Sequence, residues 1–204
     1  MTEEKNTSRV EAFSDGVFAI AITLLVLELK VPESFGVGDH ALFKALSEDR
    51  FLASYLAFFL SFVSILVMWV NHHRIFTLVR RVDDAFLYWN GLLLLFVTFV
   101  PFPTSLLAQQ LTDSAAKGAA AMYAGTALAI ALAFTALWRH AIRDASALAP
   151  NAAAEVRRLN TQYRFGPLAY LVALVLSYFS AGLSVGLCLS LVVAFAFRGF
   201  LGRK

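Results

Sequence analysis

Two groups of polar side chains stand at the edges of apolar runs, where they can hold a proton, an ion or one another. The first is Arg9, Ser14 and Asp15 within Arg9-Val-Glu-Ala-Phe-Ser-Asp15, which leads directly into the apolar stretch Gly16 to Leu27. The second is Trp69, Asn71, His72, His73 and Arg74, closing an apolar run that starts at Phe51. Ionisable groups at membrane depth are expensive, so each group marks a site with a structural or functional purpose. A carboxylate such as Asp15 can accept from an imidazole, an indole N–H or a guanidinium, which offsets the cost of removing it from water. The expected role is an interhelical hydrogen-bond network, with a proton relay as the alternative.

Catalysis finds no support. His72 and His73 are adjacent, so on a helix they point about 100° apart and are poor joint metal ligands. The chain has no His-Glu-x-x-His, phosphate loop or Gly-x-Gly-x-x-Gly, and Ser14-Asp15 lacks the setting of an activated nucleophile. No enzyme activity, cofactor or resident metal is expected.

The elements that position these residues follow from composition. The 204 residues are 59% hydrophobic and 15% charged, with 19 Phe, against about 25% charged in soluble domains. A bilayer core of about 30 Å takes roughly 20 helical residues. Phe51–Val70, Ala85–Ala108 and Gly118–Trp138 are uncharged runs of that order. Phe165–Phe197 is also uncharged, yet as one helix it would reach about 50 Å, so two spans turning near Ser180–Ser184 fit better. The pair Pro101 and Pro103 is expected near one helix end. With a first span ahead of Phe51, the expectation is an all-α membrane protein forming a single domain over 1–204. Its six transmembrane helices fall near 10–30, 51–76, 85–108, 118–140, 162–180 and 183–200.

Charge supports an even number of spans. Cytoplasmic loops carry excess Lys and Arg, and with both termini cytoplasmic only Lys30, Lys44, Arg50 and Lys117 of the 17 basic residues fall on the outer side. The net charge of +3 thus places basic groups beside lipid headgroups in a cell-membrane, multi-pass protein and gives no sign of nucleic-acid binding. No removable leader is expected, because no small-residue cleavage pattern follows the charged amino terminus. The lone Cys188 sits in an apolar run, where inert packing is expected.

The first helix is unusual. Its uncharged core, Gly16 to Leu27, covers only about 18 Å, so Ser14 and Asp15 must come to membrane depth facing protein or water. Ile20, Leu24 and Leu27 share one stripe with Thr23 at its edge. Periodicity alone reads this as ordinary packing.

Arg9-x-x-x-Phe13-Ser14-Asp15, followed by Gly-Val-Phe-Ala-Ile-Ala-Ile-Thr-Leu-Leu-Val-Leu-Glu-Leu, resembles the transmembrane protein 175 family of endosomal and lysosomal potassium channels and their single-repeat prokaryotic relatives. Trp69-x-x-His72-x-x-x-Phe76 and the six-span layout belong to the same resemblance. It implies a homotetrameric, leak-type potassium channel whose first helices line a central pore. It further implies that Ile20 forms the main constriction, that Leu24 and Leu27 continue the pore wall, and that Thr23 aids selectivity. Arg9, Phe13, Ser14, Asp15, Trp69 and His72 then hold the pore helix without touching the ion. A Thr-Val-Gly-Tyr-Gly filter is absent. The alternative is a proton-coupled transporter or exchanger using Asp15, His72 and His73 as protonation sites. The segments 31–50 and 141–164 match no function.

Overall fold

In a bilayer, backbone N–H and C=O groups must be satisfied within the chain, so apolar runs of spanning length become helices. The computed structural model describes residues 3–29, 49–143, 148 and 153–201 and is helical almost throughout. The basic positions Lys30, Lys44, Arg203 and Lys204, and most of the segment 31–50, lie outside the described residues.

Helix α1 spans Glu3–Leu24 and tightens into a 3-10 turn at Leu25–Glu28. It is followed by α2 (Asp49–Leu78), α3 (Asp84–Phe99), α4 (Pro101–Gln110), α5 (Ala116–Ala141), α6 (Ala153–Phe179) and α7 (Ala181–Leu201). Because α3 and α4 together form one apolar span, Asp84–Gln110, these seven helices make six helical units among the described residues. Thr7–Glu28, Phe51–Leu78, Asp84–Gln110 and Ala116–Ala141 are long and apolar enough to cross by themselves. The fifth passage is expected at 162–180, whereas α6 starts at Ala153 with a charged opening in which Arg158 lies 3.7 Å from Glu155.

Local chemistry sets the helix ends. The Asp83 carboxylate caps α3 by accepting from the Phe86 N–H at 2.8 Å. Arg139 and His140 occupy the last turn of α5, where positive charge suits the helix dipole. Ser180 separates α6 from α7, and its hydroxyl accepts from Leu183 N at 3.3 Å.

The proline pair lies at the start of a helix, as expected, and that start falls inside a span. Pro101 opens α4 inside the span Asp84–Gln110, because a proline without an N–H breaks the ladder where it stands. The break leaves its backbone bonded: Val100 N donates to Val97 O at 3.1 Å and Thr104 N to Val100 O at 3.2 Å. Pro167 in α6 is treated similarly. It cannot donate to the Tyr163 carbonyl one turn back, and Thr135 Oγ1 lies 3.0 Å from that oxygen.

Helix α5 forms the centre, packing against α3, α4, α6 and α7. Buried Ala119, Ala120, Ala124, Ala127 and Ala133 allow these neighbours close approach. One buried layer gathers Phe18, Ile65, Phe76, Phe86 and Trp138, and a second gathers Leu60, Leu107, Tyr123, Tyr170 and Cys188. Lipid is as apolar as leucine, so tight packing and interhelical hydrogen bonds hold the bundle. Ser61 Oγ and Thr104 Oγ1, 2.6 Å apart, supply one such bond between α2 and α4.

Candidate pore helix and its anchoring network

Helix α1 lies at the edge of the bundle against α2 and α3. Only 22% of its apolar window is buried, compared with 50% for α5. The 3.6-residue period divides it into two faces. Ser14, Phe18, Ala21 and Leu25 turn inward, each at most 2% exposed. Phe13, Ile20, Leu24 and Leu27 turn outward at 66%, 60%, 41% and 70% exposure, with Gly16 and Thr23 also exposed. An apolar, nearly continuous stripe is thus bare along the whole outer face.

The inner face is held by a directed chain of hydrogen bonds through three helices. His72 Nε2 on α2 lies 2.8 Å from Asn90 Oδ1 on α3. Asn90 Nδ2 donates to Ser14 Oγ at 3.0 Å, and Ser14 Oγ donates to Val10 O at 2.8 Å within α1. Because Asn90 Oδ1 can only accept, the proton sits on His72 Nε2 and leaves Nδ1 as a lone pair. That Nδ1 has no partner. The imidazole packs between Phe18, with ring centroids 5.2 Å apart, and Phe76, stacked at 4.5 Å.

A second set of contacts runs along the α1–α2 edge. Trp69 Nε1 donates to Asp15 Oδ1 at 2.8 Å, and one turn away His73 Nδ1 lies 2.8 Å from Glu11 Oε1. Positions 11 and 15 on α1 therefore face 73 and 69 on α2, the register of two antiparallel helices whose i,i+4 pairs meet. Trp69 and His73 also stack, with centroids 6.3 Å apart. Above this ladder Thr7 Oγ1 donates to Arg80 O at 3.2 Å.

The structure thus brings Ser14, Asp15, Trp69 and His72 together, with Asp15 on the indole of Trp69 and His72 reaching Ser14 only through Asn90. Arg9 and Phe13 are exposed, on the bare side of α1. Sequence reasoning missed Asn90 as the bridging residue and Glu11 as the partner of His73. Asn90 could have been sought as the lone amide in the uncharged run Ala85–Ala108. Glu11 could have been sought as the carboxylate one turn before Asp15.

The arrangement bears on which chemistry is possible. Asn90 is an amide, with no proton that passes readily along a relay, so the route from His72 to Ser14 is a tether. Among the described residues, no group of three or more His, Cys, Asp or Glu is placed to hold a metal ion. Thr23 Oγ1 lies 3.0 Å from Ala19 O and 2.9 Å from Ile20 O. Its proton is committed to the helix backbone, so the oxygen lone pairs are left for the outer face.

Comparison with known proteins matches this helix pattern to one family. Residues 9–101 match the family described as endosomal/lysosomal potassium channel TMEM175. A potassium channel of Chamaesiphon minutus is 58% identical over 96% of both chains. One of Streptomyces collinus is 46% identical over 88% of this chain and 86% of its own. A crystal structure of a lysosomal potassium-selective channel TMEM175 homolog from Chamaesiphon minutus, 55% identical, covers 96% of this chain and 98% of that one with a TM-score of 0.80. The chain is a multi-pass membrane protein that belongs to the TMEM175 family.

Proposed function

We propose that this protein is a potassium channel of the cell membrane, in which the α1 helices of four copies surround the conduction pathway. The observation that carries the reading is the two-faced α1: an inner face tied to α2 and α3 by polar bonds, and an outer face left bare. A bare stripe of Ile20, Leu24 and Leu27 lies wholly within a membrane passage, so four such stripes around an axis would enclose an apolar tube. The naming of the relatives from Chamaesiphon minutus and Streptomyces collinus as potassium channels supports the same reading.

In this arrangement Ile20 forms the constriction, and Leu24 and Leu27 continue the wall. A ring of isoleucines closes by expelling water and conducts when it widens enough for a partly hydrated ion. Potassium sheds its water more readily than sodium and is the favoured passenger. The outward lone pairs of Thr23 replace part of the lost hydration. Glu11 and Asp15 raise the local cation concentration at the end of the pathway they flank. Arg9 and Phe13, exposed in the single chain, lie on the side of α1 where neighbouring copies meet. Ser14, Asp15, Trp69 and His72 hold α1 in place. A proton-coupled exchanger would use Asp15 and the histidines as protonation sites, but His72 is tied through the Asn90 amide to Ser14 and Asp15 bonds the indole of Trp69, which carries no readily relayed proton.

Potassium and sodium flux into liposomes under an imposed potential tests the proposal. Passive flux favouring potassium is expected, and Ile20→Asn should wet the ring, raising conductance while eroding discrimination. Flux that runs only against an opposing proton gradient, or an Ile20→Asn variant indistinguishable from the parent, would count against it.

A further inference from the structure

On the side of α2 away from α1, a cavity of about 60 Å³ lies among α2, α5, α6 and α7. No residue of α1 lines it, so it is separate from the conduction pathway. Its walls are mostly aliphatic and aromatic, including Ile130, Phe134 and Phe195. The polar groups among its lining include Asn71, Gln162 and Tyr163. Gln162 Nε2 donates to Asn71 Oδ1 at 3.2 Å, so those two amides are bonded to each other. Tyr163 is different: its residue is only 6% exposed, and its hydroxyl has no hydrogen-bond partner.

A buried hydroxyl without a partner is costly, so an occupant able to bond it is favoured. Size then limits the occupant. The volume exceeds the roughly 10 to 15 Å³ of such space that one water needs but is well below the roughly 150 Å³ of a dry cavity that admits benzene. An occupant of a few non-hydrogen atoms fits. Lining chemistry limits it further, since a cluster of waters needs two to four polar partners for each molecule, and most of this wall offers none.

We propose that this cavity is a binding site for a small uncharged molecule carrying one oxygen on a short apolar body, of the alcohol or ketone class, anchored by the Tyr163 hydroxyl. The apolar end covers the aliphatic wall and the oxygen meets the orphaned hydroxyl. Gly166 offers a way to narrow the site. A Cβ added there would meet Phe195 Cζ at 3.9 Å, an ordinary contact that the fold accommodates.

The test is to soak crystals of the full chain in 2-bromoethanol and locate bromine by its anomalous scattering over a series of concentrations. Bromine density inside the cavity, with the alcohol oxygen within hydrogen-bond distance of Tyr163 Oη, is the expected result. Tyr163→Phe should weaken binding roughly fivefold, the equivalent of one neutral hydrogen bond, and Gly166→Ala should weaken it by filling space. Three results would overturn the proposal: no bromine in the cavity of the parent chain, ordered water that persists there through the soak, or unchanged occupancy in Tyr163→Phe. None of them bears on whether the protein conducts potassium.

Discussion

Trp69 Nε1 donates a 2.8 Å hydrogen bond to Asp15 Oδ1, joining α2 to α1 at the edge of the bare stripe. Trp69 is 38% exposed in the single chain, so the bond is reachable by water and its strength is moderate. Interhelical bonds in membrane proteins average about 0.6 kcal/mol and reach about 1.7. An Asp15→Ala and Trp69→Phe double-mutant cycle should give a coupling within that range, read as oligomer melting in detergent by size-exclusion chromatography. Normal assembly with altered ion selectivity would instead mean that Asp15 acts on the ion.

Asn90 carries more, because removing it orphans the buried His72 Nε2–H and takes one donor from the Ser14 hydroxyl, which still donates to Val10 O. Asn90→Leu should destabilise the protein by about 1 to 3 kcal/mol for the orphaned group. Replacing both ends of a buried bond by apolar groups is nearly neutral, so adding His72→Phe to Asn90→Leu should recover part of the loss. A double variant that melts below Asn90→Leu would show that His72 has a further partner of its own.

Thr23 offers a cleaner test of selectivity. Thr23→Val keeps the shape and removes the oxygen, and should lower the potassium-to-sodium permeability ratio by up to about fivefold, equivalent to one weak interaction. Thr23→Ser keeps the oxygen and should preserve the ratio. Equal ratios in all three chains would remove Thr23 from the selectivity mechanism.

At the α3 cap, the Phe86 N–H and then His140, whose Nε2 lies 2.8 Å away, hold the Asp83 carboxyl below its ordinary value near 3.8. A carboxyl lowered by folding contributes stability that is fully present above its unfolded value and fades as pH falls through the folded one. Melting temperature should therefore be insensitive to Asp83 between neutral pH and about pH 5 and decline in stronger acid. Asp83→Ala should cost about 1 kcal/mol at neutral pH and flatten that acid limb.

The passages were legible because the bilayer imposes a length on every apolar run, and Ser180 marks a turn that a 33-residue stretch, Phe165–Phe197, could not do without. Ser14, Asp15, Trp69 and His72 stood out as polar residues where polarity is costly. Which atom bonds which was not legible, because Asn90 sits far along the chain in a run that otherwise reads as plain apolar helix. The proline pair was expected near a helix end and does open α4, but sequence does not show that Val100 and Thr104 keep the broken ladder bonded in mid-span. The Tyr163 cavity left no sequence signal, since it arises from four helices meeting imperfectly.

The bare face of α1 also has a meaning for biogenesis. Translation delivers this helix to the membrane ahead of α2 to α7, while its outer face is the last to be covered, because only other copies of the chain can cover it in the proposed tetramer. Lipid solvates Ile20, Leu24 and Leu27 well, so the waiting subunit is unfinished without being misfolded. Maturation then depends on how often copies meet in the plane of the membrane. The number of functional pores should rise more steeply than the amount of protein made.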